Sequence, residues 1–158
     1  MNTGVISTRY ARALLELVTE NGTADAVYSQ IRAMQDNPDS IPSPLQPDLK
    51  KFVSLLVEKH REQYLKFIFN SYVSLYLKQN NMKLATLTTV VPSPGLEQKI
   101  RDLIKEKTGC GLDLTVKTDP SIIGGFKLMV DDMLLDASVS TQLAQLRKQF
   151  IDNTSRIV

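Results

Sequence analysis

Apolar residues recur along this chain at two different periods, and the period changes once, near Asn80. Between Ile6 and Glu20, residues Tyr10, Ala13, Leu14, Leu17 and Val18 fall at i, i+3, i+4, i+7 and i+8, the spacing of an amphipathic helix. Ile6, Ala11 and Leu15 widen the apolar face to an arc of roughly 200°, whereas a surface helix packed on one core needs a stripe of about 100°. The first helix is therefore expected to satisfy two neighbouring surfaces, as a central helix of a bundle, as one wall of an exposed groove, or as both. A second helix is predicted over Thr23 to Gln35, with Ala24, Val27, Tyr28 and Ile31 on one face and Thr23 as a possible N-cap. Four of the seven prolines (Pro38, Pro42, Pro44 and Pro47) then lie within Asn37 to Pro47, which predicts an irregular connection. Leu49, Phe52, Val53, Leu56 and Val57 restore the helical spacing. After a charged break from Glu58 to Glu62, a longer helix runs to about Gln79 and carries Tyr64, Phe67, Phe69, Tyr72 and Tyr76, expected to fill a small bundle core.

Beyond Asn80-Asn81 the pattern shortens. Leu84 to Val91 is rich in β-branched residues and ends at Pro92, as a strand should. Ser93-Pro94 supplies an N-cap and a first-turn proline, Leu96, Ile100, Leu103 and Ile104 a helical face, and Gly109 a C-cap, so a helix is predicted over Pro94 to Thr108. Strict alternation at Leu112, Leu114 and Val116, and again at Phe126, Leu128 and Val130, predicts two half-buried strands. Asp131-Asp132 turns the chain into a short strand, Met133 to Asp136. Ser138 then caps a last helix on which Val139, Leu143, Leu146 and Phe150 repeat at seven-residue intervals. The fold class is α+β, with a helical bundle over residues 1–80 and a β-α-β-β-β-α unit over 81–158.

Composition changes this picture little. With 42% hydrophobic and 23% charged residues, the chain has apolar material for two cores, and a net charge of +2 is too small to predict nucleic-acid or lipid binding by electrostatics alone. One cysteine, Cys110, and one histidine, His60, exclude a disulfide framework or a Cys/His zinc cluster within the chain. The amino terminus lacks the marks of a signal or transit peptide and is expected to be mature and cytosolic. Leu65 to Leu77, the most apolar window, is broken by Lys66, Asn70 and Ser71 and is too short to span a bilayer, so membrane association is expected only through partners.

Candidate chemistry is sparse. Gly124-Gly125 runs into an alternating strand rather than a helix, which excludes a phosphate loop or a dinucleotide fingerprint; glycine inside a strand marks a bulge or close backbone approach. Asp131, Asp132 and Asp136 could be imagined as a metal or acid pair, but two of them occupy a turn, where Asp is common for local hydrogen bonding. An RNA-binding module is the alternative, suggested by the strand order and Gly125-Phe126-Lys127-Leu128, although Phe126 is the only aromatic in the predicted strands.

The run Asp119-Pro120-Ser121-Ile122-Ile123-Gly124-Gly125-Phe126-Lys127-Leu128-Met129-Val130, with Leu135-Asp136-Ala137-Ser138-Val139 and Gln142-Leu143, resembles the carboxy-terminal signature of the ATP synthase delta subunit family. Arg9-Tyr10-Ala11-Arg12-Ala13-Leu14-Leu15-Glu16-Leu17 is similar to that family's opening helix. The resemblance implies a non-catalytic stator subunit of a proton-translocating ATP synthase, without cofactor or metal, peripheral at the cytoplasmic face of the membrane. It implies an amino domain that holds the amino-terminal helix of the alpha subunit and a carboxy domain that grips the end of the b subunit. The wide arc of the first helix, facing Phe52, Leu55 and Leu56, is compatible with such a groove, and Tyr10, Ala13, Leu14 and Leu17 are expected to divide between core and groove. Asp119, Pro120, Gly124, Gly125, Asp136 and Ser138 are expected to shape the carboxy domain. Against the family pattern, Asp131 stands where Gly is usual, Ala137 where Gly is common, and Ser140 where a basic residue is frequent. The short proline-rich region further predicts four to five helices in the amino domain instead of six.

Overall fold

The computed structural model describes residues 3–155, and side-chain exposure over 3–152. The chain divides into two compact units, Met1–Asn80 and Asn81–Val158.

In the first unit, α1 (Thr3–Glu20), α2 (Ala24–Asp36), α3 (Pro47–Glu58) and α4 (Leu65–Gln79) form the bundle, with a short 3-10 turn at Glu62–Tyr64 leading into α4. α1 packs on α2, α3 and α4, which is the central position that its broad apolar arc anticipates. Ala11, Leu14, Leu15 and Val18 of α1 are buried against a core that includes Val27 and Ile31 of α2, Leu49, Phe52 and Leu56 of α3, and Ile68, Tyr72 and Val73 of α4. Each Val, Leu, Ile or Phe among them contributes on the order of 1.5–3 kcal/mol by leaving water. Tyr28 and Tyr76 stack with ring centroids 4.1 Å apart, and the buried Tyr72 hydroxyl donates to the Ala24 carbonyl at 3.2 Å. Burial, with the neighbouring Tyr76 and Asp25, raises the Tyr72 pKa. Tyr76 is anchored by its hydrogen bond to Asp25. Two local expectations change. Thr23 occupies the N-cap position of α2, but its hydroxyl donates to Asp48 Oδ2 at 2.8 Å instead of capping, tying the start of α2 to α3. Phe67 is 53% exposed, because it lies on the face of α4 opposite the buried Ile68, Phe69, Tyr72 and Tyr76 and so takes no part in the aromatic core.

The second unit is a four-stranded sheet ordered β2-β1-β3-β4, built from β1 (Met82–Thr89), β2 (Gly111–Thr118), β3 (Gly125–Val130) and β4 (Met133–Ser138). β1 and β2 are parallel, joined by α5 (Pro94–Thr108), while β1–β3 and β3–β4 are antiparallel. β1 ends at Thr89, earlier than the β-branched run suggests: the Thr89 hydroxyl donates to the Val91 carbonyl at 3.0 Å and turns the chain toward α5. Gly109 closes α5 in the left-handed conformation that its position predicts, at φ 69°. α6 (Val139–Ser155) follows β4 directly. Ala85, Leu87, Ile100, Leu112 and Leu128 form the core beneath α5, flanked by Leu96, Ile104, Leu114, Phe126 and Val130.

Candidate partner-binding surfaces

On α1 the two surfaces separate by residue. Leu14 is fully buried, Tyr10 half-buried, and Ala13 and Leu17 exposed, Leu17 to 40%. On α3, Leu55 is 43% exposed, whereas Leu56 is fully buried and Phe52 nearly so. Of the seven residues expected to line a groove, only Tyr10, Ala13, Leu17 and Leu55 keep exposed surface. Leu14, Phe52 and Leu56 belong to the core, because helical geometry turns them inward by one 100° step from their exposed neighbours. Tyr10 is held from both sides. Its ring meets Phe52 edge-on at 6.3 Å, and the Arg61 guanidinium sits over it at 5.4 Å from the centroid while donating to its hydroxyl. Ile6, Arg9, Tyr10, Ala13 and Arg61 line a depression of about 400 Å³. Arg61 carried no signal in the sequence, because a residue in a charged interhelical break reveals nothing of a partner 51 positions away.

The family-signature residues converge at one end of the sheet. Asp119 opens a 3-10 turn, Pro120–Ile122, and accepts the Ser121 amide at 2.9 Å, a hydrogen bond that lowers its pKa. Ile123 follows at φ 67°, with the Gly124 amide donating to the Ile122 carbonyl at 2.8 Å: a γ-turn, strained for a β-branched residue. Gly125 starts β3 at φ 74°, and a Cβ there would lie 2.2 Å from the Ala137 carbonyl oxygen of β4. The glycine pair is thus at the entrance of the strand rather than within it, and close backbone approach is its role at Gly125. Asp136 accepts the Ser138 amide at 3.0 Å, the Ser138 hydroxyl at 2.6 Å and the Thr141 hydroxyl at 2.7 Å. These bonds, the Ser138 ones foremost, lower its pKa to about 2. Ser138, fully buried, in turn accepts the Thr141 amide at 3.4 Å as the N-cap of α6. In the hairpin turn, Asp131 sits at φ 51°, in the left-handed region that favours glycine, and pairs with Lys83 at 2.7 Å.

Coverage of the sheet fades toward β4. On the α5 side, one cross-strand row runs Val116, Leu87, Leu128, Leu135. Leu87 is fully buried and Leu128 7% exposed, but Leu135 is 56% exposed and the neighbouring Met133 77%. On the opposite face, Met129 and Leu134 pair and are both exposed. Phe126, the ring on which an RNA reading depends, packs with the α5 core and leaves no stacking platform on the open face. His60 sits in the turn after α3 and Cys110 before β2, each outside the other's unit. No cluster of metal-ligating side chains is found among the described residues, and none of their helices is long and apolar enough to cross a membrane.

The helical bundle leaves apolar side chains of α1 and α3 partly exposed, and the small sheet leaves the apolar residues of its edge strand β4 exposed. Residues 38–150 match the family model described as ATP synthase delta (OSCP) subunit, and the chain belongs to that family. It is 36% identical to ATP synthase subunit delta of Phocaeicola vulgatus and 33% identical to that of Bacteroides thetaiotaomicron, each alignment covering 100% of both chains. The first alignment runs over 185 positions against 158 residues here, so that relative carries segments with no counterpart in this chain. The fold is shared with a chain of the Toxoplasma gondii mitochondrial ATP synthase hexamer, at a TM-score of 0.57 and 20% identity over 92% of this chain and 97% of that one. Family membership makes this chain a structural, peripheral-stalk subunit of an ATP synthase.

Proposed function

We infer that this subunit has no active site of its own and couples the catalytic head to the stalk by two attachments, the amino-terminal helix of the alpha subunit on residues 1–80 and the end of the b subunit on residues 81–158. It works at the cytoplasmic face of the membrane, which it meets only through those partners. The observation that carries the alpha-subunit half is that Ala13 and Leu17 of α1 and Leu55 of α3 stay exposed, and Tyr10 half-buried, beside the buried Leu14, Phe52 and Leu56. Apolar side chains left out in this way suit the apolar face of an amphipathic helix laid along α1 and α3. A stator has to resist torque, so each attachment must release slowly. Nanomolar attachment corresponds to about 12 kcal/mol, which dispersed apolar contacts can supply without a reactive group. Two tethered attachments also make rebinding effectively intramolecular.

The test is calorimetric titration of the full chain with the amino-terminal peptide of the cognate alpha subunit. Saturable binding is expected, weakened at least about tenfold by Leu17→Asp or Leu55→Asp, which replace exposed side chains and leave the core intact. Absence of binding, or binding indifferent to both substitutions, refutes the groove.

A further inference from the structure

The depression beside Tyr10 has a chemical feature that purely apolar docking does not require. Arg61, in the break after α3, lies over the Tyr10 ring at 5.4 Å from the centroid and donates through Nη1 to the Tyr10 hydroxyl. Its guanidinium carries further N–H donors in a rigid planar fork. Arg9 lines the same depression from α1, and Ile6 and Ala13 complete an apolar lining. Neither arginine forms an ion pair among the described residues, although Glu58 and Glu62 lie close to Arg61 in the chain. Two cations therefore border one depression of about 400 Å³ with no anion between them.

Like charges at one concave surface repel weakly while water screens them and more strongly once a partner excludes the water. A wholly apolar helix laid over Tyr10 would bury part of the Arg61 fork unpaired, which is unfavourable. A helix that brings a carboxylate to the same place reverses the sign, since the fork can donate to both carboxylate oxygens in parallel. Stacking on Tyr10 already holds the guanidinium, so little side-chain freedom is lost when the pair forms. Leu17 lies two turns further along α1, roughly 10 Å along the helix axis. Carboxylate and apolar contact are thereby set at a fixed spacing on the partner.

We propose that Arg61, with Arg9 beside it, selects its partner helix by a single carboxylate, an Asp or Glu placed about two turns from the side chain that covers Leu17. This rests on the reading that residues 1–80 hold the amino-terminal helix of the alpha subunit, and it adds what that surface discriminates. Apolar contacts supply the attachment, and the pair between Arg61 and the carboxylate fixes the register. A helix of the same apolar pattern shifted by one turn leaves the fork unpaired and is disfavoured.

The full chain is titrated calorimetrically with the amino-terminal peptide of the cognate alpha subunit, and with peptides in which each Asp or Glu is changed in turn to Asn or Gln. Far-UV circular dichroism verifies unchanged helicity in every variant. One amide peptide should bind about tenfold more weakly than the parent, and Arg61→Gln should weaken the parent by a similar factor while scarcely changing the affinity for that amide. This non-additivity separates direct pairing from a structural role, because an arginine that only steadied Tyr10 would lose affinity equally for both peptides. Arg61→Lys, which keeps the charge, should bind the parent more tightly than Arg61→Gln, and Lys105→Gln, the same loss of charge on exposed α5 surface, should leave affinity unchanged. Additive losses, equal affinities of the Lys and Gln variants, or an equal loss in Lys105→Gln overturn the proposal. Binding that depends on Leu17 but on no carboxylate of the peptide removes the selection by Arg61 and keeps the attachment, whereas absence of binding by the parent peptide removes both.

Discussion

Gly125→Ala is the most demanding single change. Glycine at φ 74° is in a conformation that costs an L-residue about 1–2 kcal/mol. The new Cβ would also stand 2.2 Å from the Ala137 carbonyl oxygen and 3.2 Å from Ser138 Cα, all backbone atoms that no rotamer change can move aside. Reaching ordinary contact requires the Gly125–Ser138 end of the β3–β4 ladder to open by roughly 1 Å, which sacrifices one or two hydrogen bonds at about 1 kcal/mol each. The sum is about 3 kcal/mol, which for a unit of this size lowers the melting temperature by roughly 12 °C or more. Gly124→Ala is the internal comparison. Its φ is ordinary, and its nearest neighbour is the Val139 Cγ2 methyl at 3.1 Å, a side chain free to give way, so the change stays within about 1 kcal/mol. Calorimetry of both variants, with hydrogen exchange at the β3 and β4 amides to assign the transition to the second unit, reads the difference. Equal shifts for the two alanines would refute the close-approach argument.

Ile123→Gly is expected to stabilise the same unit. Relief of about 1–2 kcal/mol of left-handed strain exceeds the 0.5–1 kcal/mol that glycine adds to the unfolded chain's entropy, and a side chain 63% exposed gives up little burial; thermal melts should rise by a few degrees. Asp136, with its folded pKa lowered to about 2 from 3.8, contributes stability that is present above pH 3.8 and lost as the pH falls toward 2. Urea titrations across that window should show a shallower acid loss in Asp136→Asn than in the native chain, and identical slopes would remove Asp136 from the acid response.

The periods of most helices and strands were legible because they are amphipathic on their own: the bounds of α5, between Pro94 and Gly109, and the Phe126-Leu128-Val130 strand follow local spacing, although the Ser93 side chain makes no cap hydrogen bond and Leu103 of the predicted face is exposed. What was not legible depends on distance along the chain. Thr23 has the chemistry of a cap, yet its hydroxyl donates to Asp48, 25 residues on. The arc of α1 announced two surfaces without dividing them, since whether Leu14 or Leu17 faces inward depends on where α3 and α4 lie. Asp119-Pro120-Ser121 and Asp136-Ala137-Ser138 both place an Asp two residues before an amide that it accepts, a local signal that would have indicated their turns. The γ-turn at Ile123 had no such signal, because a β-branched residue is the last that steric preference would put there.

β4 also bears on supply. A strand with Met133, Leu134 and Leu135 exposed at an open sheet edge is a template for mispairing until something covers it. Chains made in excess of their assembly partners are then the ones exposed to aggregation and proteolysis, so the amount of this subunit that persists in a cell should follow the number of complexes rather than the rate of its own synthesis.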